Sequence, residues 1–371
     1  MTTFPLKAGI LGAGTIATSP GGFLPGVTLF PDLVKVVAIA DPVFDRAKSV
    51  GAQFGIPEAY PSLEEMLEKS DIDLVLNITP IPFHASTARQ ILGAGKHLVI
   101  EKPIATTLEE ADELIALAEA KGVTYVVAPP NQILQNRVEA RELVKAGAIG
   151  KVAFARVRSS HGGPAAGAWP LDPTWFYQKG SGPLFDMGVY GITDITGILG
   201  PAKRVVAFSG ITEEIRTVRK GPFAGKEIEV TEDDNTLLML DFGGSTFAVV
   251  DGTYNVNAAR GPMIEIFGRK GTINLGNAYD DEPGIPSIEI FKHDVLPDVD
   301  GWVTPRSFGG QYKADWQKYQ RAVLVKHLAE SIRDGVKPVL SAEHARHVLE
   351  IMVKSIESAR TGQAIELTTT F

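Results

Sequence analysis

Leu6-Lys7-Ala8-Gly9-Ile10-Leu11-Gly12-Ala13-Gly14-Thr15-Ile16-Ala17 decides the fold of this chain. The apolar run Leu6 to Leu11 reads as a strand, and the G-x-G-x-x-A string follows it at once. A strand before and a helix after is the context a dinucleotide fingerprint requires. Gly12 permits the tight turn, Gly14 lets backbone approach a pyrophosphate, and Ala17 is small enough for the helix to pack on the strand. Free N–H groups in the first turn, at Thr15 and Ile16, then meet the phosphates together with the helix dipole.

The next apolar run, Val34 to Ala40, ends in Asp41, where a dinucleotide fold holds the ribose hydroxyls. Asp41 lies some 30 positions after Gly12, against the usual ~20. The stretch Thr18 to Gly26 accounts for the excess as a loop inserted early in the first crossover. A carboxylate at this point repels a 2′-phosphate, which favours NAD over NADP, and nearby Arg46 softens that preference. Capping of the helix expected over Val43–Phe54 is the plainer role for Asp41.

Alternation then continues. Ser62-Leu63-Glu64-Glu65 and Thr107-Leu108-Glu109-Glu110 read as capping boxes. Strands are expected over Asp73–Ile78, His97–Ile100 and Val123–Val127, with a helix over Phe83–Ala94. Strands alternating with helices specify an α/β fold, a Rossmann-type doubly wound parallel sheet, over residues 1–130. Its carboxyl edge should gather Gly12, Asp41, Thr79 and Lys102 along one crevice. Lys102 stands in Glu101-Lys102-Pro103, where a cation is placed to hold a substrate oxygen and ease proton transfer.

After Pro129-Pro130 the pattern changes. A helix near Leu134–Ala146 leads to strands at Lys151–Ser160, Arg204–Ile211, Asn235–Phe242, Thr246–Asp251, Met263–Phe267 and Thr272–Leu275. Glycine-bearing turns between neighbours indicate a mostly antiparallel, open-faced sheet in an α+β domain spanning 131–371. Helices near Lys313–Asp334 and Ala342–Thr361 close the chain. In a helix from about Leu184 to Leu199, Asp186 and Tyr190 share a face, a pairing suited to proton handling. Gly188 and Gly191 suggest close packing of that helix on the first domain. The plainer reading is an acidic residue complementing a helix dipole and a half-buried tyrosine. His161, Trp169, Asp172, Trp175, Phe176 and Tyr177 crowd a loop-rich stretch that suits the faces and hydroxyls of a carbohydrate. His161 and Trp175 are the preferred substrate-side candidates, with Asn131 and Gln132 behind them. Ordinary packing under a loop explains the same aromatics. The stretch Trp302 to Arg306 is not placed by the sequence.

Bulk properties bound the rest. The 371 residues suffice for two domains, are 44% hydrophobic and 22% charged, and carry a net charge of -8. That balance argues against nucleic acid or an anionic membrane as partner. With no cysteine, disulfides, thiolate catalysis and cysteine zinc sites are excluded. His84 and His161 lack neighbours to complete a metal ligand set. No signal peptide or spanning run is seen, so a cytoplasmic location is expected.

Taken together, these motifs resemble the glucose-fructose oxidoreductase/inositol dehydrogenase (Gfo/Idh/MocA) family over nearly the whole chain. The resemblance rests on Gly12 to Ala17, Thr79-Pro80…His84, Gly93-Ala94-Gly95-Lys96-His97…Glu101-Lys102-Pro103, Gly147-Ala148-Ile149-Gly150 and Asp186-Met187-Gly188-Val189-Tyr190. It implies a catalytic Lys102, often followed by a cis peptide to Pro103, with Asp186 and Tyr190 as its partners. Tyrosine stands where many relatives carry histidine, as in the glucose-fructose oxidoreductase and dihydrodiol dehydrogenase branches. Cofactor contacts are implied for Thr79, Pro80, His84, Glu101 and Lys102, beside Gly12, Gly14, Thr15, Ile16 and Asp41. The family's T-P-N-x-x-H has Ile81 in place of asparagine, which puts one polar contact near the cofactor in doubt. Substrate contacts fall to Lys102, His161, Trp175, Asp186 and Tyr190. The resemblance also implies a homodimer or homotetramer built through the second sheet.

The expected activity is hydride transfer between NAD, less readily NADP, and a secondary alcohol or hemiacetal of a sugar, polyol or glycoside. Two alternatives are NAD-dependent redox elimination that cleaves a glycosidic bond, and a non-catalytic cofactor-sensing regulator.

Overall fold

The computed structural model describes residues 3–277, 286–305 and 311–371. Contacts divide the chain into two compact units, one of residues 1–134 and 310–349, the other of 135–309 and 350–371.

In the first unit, among the described residues, six strands lie in the order β3-β2-β1-β4-β5-β6. They are β1 (Leu6–Leu11), β2 (Val34–Ala40), β3 (Glu58–Tyr60), β4 (Leu74–Asn77), β5 (His97–Ile100) and β6 (Tyr125–Val127). All neighbours pair in parallel, so the order reverses between β1 and β4. The apolar runs read from the sequence are β1, β2, β4, β5 and β6, whose apolar side chains are mostly buried; β3, which the sequence reading did not include, is only partly buried. The crossover helices are α1 (Thr15–Thr18), α2 (Phe23–Val27), α3 (Phe44–Phe54), α4 (Leu63–Lys69), α5 (His84–Gly93) and α6 (Leu108–Lys121). Thr107 and Glu110 form a complete reciprocal capping box on α6. Ser62 caps α4 through the Glu65 N–H, while the Glu65 carboxylate turns instead to Lys69 at 2.6 Å.

The expected loop over Thr18–Gly26 is partly helical, because α2 occupies Phe23–Val27. Its glycines serve close approach. A Cβ on Gly26 would overlap the Tyr319 carbonyl oxygen and lie 2.6 Å from the Ala322 Cβ. The sequence assigns residues 310–349 to the second domain, yet Val323, Leu324, Val325 and Leu328 belong to the core that holds Leu6, Ile10 and Phe23. The helix that carries these residues, Val323–Asp334, buries its apolar face in this core.

In the second unit, α7 (Gln135–Lys145) precedes β7 (Val152–Arg158), and α8 (Val189–Leu199) precedes β8 (Arg204–Gly210), β9 (Ile215–Thr217), β10 (Glu227–Glu229), β11 (Asn235–Gly243), β12 (Thr246–Thr253), β13 (Ile264–Gly268), β14 (Gly271–Leu275), β15 (Ile288–Leu296), β16 (Val299–Val303) and β17 (Ile365–Glu366). Among the described residues, nine strands run in the order β16-β15-β14-β13-β7-β12-β11-β8-β17, with β9 and β10 apart as a ribbon. Pairing is antiparallel except between β12 and β7. Alternation along β11 buries Thr236, Leu238 and Leu240 and turns Leu237 and Met239 outward, as a one-sided sheet requires. The chain ends with α9 (Gln311–Tyr319), α10 (Val323–Asp334) and α11 (Ala342–Thr361). No helix among the described residues is long and apolar enough to cross a membrane.

Candidate active site

At the end of β1 the backbone turns at Gly12, whose φ of +109° suits glycine. A Cβ there would press within 3.2 Å of the Ile78 carbonyl oxygen. Gly14 borders open space and begins α1, with Thr15 and Ile16 exposed beyond it and Ala17 buried behind. This is the surface a pyrophosphate needs: bare backbone in front, close packing behind.

Asp41 ends β2 as expected, 2% exposed. Its oxygens accept from the N–H groups of Ala13 and Val43, each at 2.8 Å, and from Arg46 through Nε at 3.0 Å and Nη2 at 2.7 Å. A carboxylate has about four lone-pair sites, so these donors occupy them all. Burial pushes its pKa up, but the Arg46 guanidinium and the two backbone donors outweigh that and hold it below the usual carboxylate value.

The ends of β4 and β5 are tied together by His84. Its Nδ1 lies 2.7 Å from the Pro103 carbonyl oxygen and its Nε2 2.8 Å from that of Thr79. Burial lowers its pKa, against the two carbonyls that favour its charged form. The imidazole, 1% exposed, is thus engaged with the two loops, and it sets where Thr79 and the Glu101-Lys102-Pro103 turn sit. Pro80 is exposed beside them. The Lys102–Pro103 peptide is cis. Asn77, overlooked in the sequence, is buried at the last position of β4. It accepts from the Thr79 hydroxyl at 2.8 Å and donates to Thr87 at 2.7 Å. Its only signal was a polar residue closing an apolar run.

In the second unit Asp186 falls in a π-helical turn, Leu184–Gly188, that runs straight into α8, where Tyr190 lies. The expected regular α-helix over both residues is therefore interrupted. Such insertions change the angular offset of side chains and recur at functional sites. The packing glycines also differ from expectation. A Cβ on Gly191 would crowd Ser159, Val157 and Val250, and Gly188 faces Gly252; these neighbours are in the second unit's own sheet, on β7 and β12 or just beyond. Both Asp186 and Tyr190 are half-buried.

Asp186 has a partner that sequence reasoning missed. The Tyr254 hydroxyl donates to its Oδ2 at 2.8 Å. Tyr254 is buried beside Tyr177, with ring centroids 5.3 Å apart, and beside His161 at 5.4 Å. His161 accepts the Gly163 N–H at Nδ1, 2.8 Å away, so its neutral ring carries hydrogen on Nε2. Burial lowers its pKa, and the Asp186 charge opposes the shift. Trp175 stands apart from this group. It is 45% exposed and leans on Phe176, which also meets Trp169. Asp172 is bound to Lys226 at 2.6 Å and caps Thr174. Asn131 and Gln132 are buried in a 3-10 turn. Trp302 lies on the outer strand β16, against Phe291, and Arg306 falls outside the described residues.

A parallel sheet with a glycine turn at β1, an acid at β2 and a lysine after β5 defines an NAD-binding oxidoreductase domain. Residues 6–128 match the model of the oxidoreductase family with NAD-binding Rossmann fold (GFO_IDH_MocA), and residues 138–274 match the GFO/IDH/MocA C-terminal domain. The chain belongs to this family. Its relatives include the scyllo-inositol 2-dehydrogenase (NADP(+)) of Bacillus subtilis, 25% identical over 370 residues, covering 98% of this chain and 96% of the relative. Trans-1,2-dihydrobenzene-1,2-diol dehydrogenase of Xenopus tropicalis is 27% identical over 356 residues, covering 95% and 97%. Levoglucosan dehydrogenase in complex with NADH has the same fold, with a TM-score of 0.80 at 22% identity over 98% of this chain and 99% of that one.

Proposed function

We propose that this oxidoreductase moves hydride between NAD and a secondary alcohol or hemiacetal of a sugar or polyol. The observation that carries the reading is the Asp186 carboxylate held by a buried phenol at the start of the helix that bears Tyr190. NAD, when bound, takes up or returns the hydride. Tyr190 removes the hydroxyl proton in oxidation and restores it in reduction. An unperturbed phenol has a pKa of about 10, so Tyr190 requires a positive field to act near neutrality. Asp186 binds a neighbouring hydroxyl of the substrate. Its fixed carboxylate suits a polyol, which offers adjacent donors. Inositol and levoglucosan dehydrogenases among the relatives support the same substrate class.

A spectrophotometric screen of sugars, inositols and glycosides, with NAD and NADP separately, tests the reading. NADH formation with a polyol, abolished by Tyr190→Phe while cofactor binding persists, is the expected result. Cleavage of a glycoside without net NADH would replace it with redox elimination.

The outer face of the second sheet supports a homodimer or homotetramer. Phe208 pairs with Leu237, Val249 with Met239, and Phe247 with Phe154, and all but Val206 in this patch's central rows are exposed, Phe208 at 80%. Exposed apolar area of this kind marks an interaction surface. Light scattering should find Phe208→Asp smaller than the parent protein; an unchanged mass removes this face from the assembly.

A further inference from the structure

The crossover that follows β1 is poor in helix. α1 is one turn, Thr15–Thr18, and the Ala13 N–H is already given to Asp41. A macrodipole sums over aligned peptides, so one turn offers a pyrophosphate little positive potential. A doubly charged ligand at this edge needs a cation from elsewhere in the unit.

Arg321 is such a cation. It sits in the 3-10 segment Gln320–Ala322 that joins α9 to α10. Its Nη1 donates to the Gly21 carbonyl oxygen at 3.3 Å, and its Nε lies 3.6 Å from Glu101 Oε1. Gly21 belongs to the crossover after β1, and Glu101 directly follows β5. The sheet runs β1-β4-β5, so a side chain touching both loops passes over the carboxyl end of β4. That position borders the β1/β4 switch, the place where an open α/β sheet binds dinucleotides.

The backbone that delivers Arg321 is held there against its preference. Gln320 has φ +51°, in the left-handed region, and α2 admits Tyr319 and Ala322 only because position 26 lacks a Cβ. Strain retained at the edge of a binding crevice points to function. The side chain keeps 36% of its surface accessible. Its contacts with the described residues leave most of the five guanidinium donors available to a ligand.

We propose that Arg321 binds the pyrophosphate of NAD, replacing the dipole that the shortened first helix lacks. Glu101 and the Gly21 carbonyl hold the guanidinium in place beforehand. This assignment depends on NAD binding and not on which alcohol is oxidised.

NADH fluorescence titration of the full chain, with Arg321→Gln and Arg321→Lys, tests it. ADP-ribose and adenosine serve as fragments with and without the pyrophosphate. Arg321→Gln should weaken NADH and ADP-ribose alike, by roughly tenfold to a hundredfold, with adenosine affinity and unligated unfolding temperature unchanged. Arg321→Lys should recover part of the loss. Unaltered NADH affinity overturns the proposal, as does a loss confined to NADH, which would move Arg321 to the nicotinamide end. Adenosine weakening in step with NADH makes it a brace of the fold and also overturns it. If Arg321→Gln unfolds, the folded Arg321→Lys variant decides: a partial loss shared by NADH and ADP-ribose but not by adenosine supports the proposal, and NADH affinity equal to the parent value refutes it.

Discussion

Tyr254 donates its hydroxyl hydrogen to Asp186 Oδ2 across 2.8 Å, from a ring that is 1% exposed. Burial, reinforced by the Asp186 charge, pushes the phenol's pKa up, so Tyr254 remains a donor throughout the working pH range. A carboxylate with one oxygen fixed presents the other in a defined direction. Tyr254→Phe keeps the ring and removes the donor. We expect kcat to fall by about tenfold or more, since a hydrogen bond to a charged group is worth ~1.5–3 kcal/mol, while NADH affinity stays unchanged. Steady-state kinetics beside NADH titration make the comparison, and an unchanged kcat removes Tyr254 from the Asp186 site.

That pair was illegible in the sequence, for a plain reason. Asp186 and Tyr254 are 68 positions apart, and nothing local to Tyr254 marks it, a tyrosine just past a strand end. The first sheet was legible because parallel strands buried on both faces leave unbroken apolar runs, and because Gly12 and Gly14 sit where chemistry demands them. Short or edge elements left weaker traces. β9 and β10 have three residues each, β15 is exposed and polar over Lys292, His293 and Asp294, and β16 is exposed along most of its length. The π turn at Leu184–Gly188 has no periodicity of its own to read. The return of α10 to the first core was hidden because an amphipathic stripe states that a face is buried, not against what.

Asp41 and Arg46 should set cofactor choice between them. Arg46 occupies both carboxylate oxygens, which blunts the repulsion of a 2′-phosphate and ties up acceptors for ribose hydroxyls. Arg46→Ala should therefore raise the NAD-over-NADP ratio of kcat/KM, by roughly tenfold for an interaction of ~1.4 kcal/mol. Asp41→Ala should move the ratio the other way. Parallel assays with the two cofactors check both, and movement in the same direction for both variants would contradict the pairing.

Acid stability carries the same carboxylate's signature. Asp41 has a pKa lowered in the folded state, so its contribution is present above the unfolded value of about 3.9 and is lost as pH falls through the folded value. Below about pH 4 the denaturant midpoint of the parent protein should fall more steeply than that of Asp41→Asn. Carboxylates common to both proteins cancel in the difference. Coincident pH profiles would mean that Asp41 is no better held in the folded state than in the unfolded chain.

A buried pair in the second unit sets a larger effect. Arg137 meets Asp194 through Nε at 3.2 Å and Nη2 at 3.0 Å, and donates to the Gly276 carbonyl at 2.9 Å. Their side chains are 3% and 6% exposed. Arg137→Met leaves a buried carboxylate without its cation, a change costing about 3–5 kcal/mol. Adding Asp194→Leu should return much of that loss, because the charge is then gone. Urea unfolding of the two variants reads the difference, and a double variant as unstable as the single one would contradict it.

Gly26 links stability to the cofactor edge. A methyl group there meets the Tyr319 carbonyl and the Ala322 Cβ, and backbone cannot yield as a flexible side chain can. Overpacking of this kind costs about 1–3 kcal/mol. The strain also acts in one direction, pushing the 319–322 segment away from α2 and drawing Arg321 off Gly21. Gly26→Ala should therefore lower the unfolding temperature and weaken NADH together, with part of the stability restored when saturating NADH selects the native position of the segment. Thermal unfolding with and without NADH measures both effects. A variant that loses stability while binding NADH as tightly as the parent would separate the packing of α2 from the placement of Arg321.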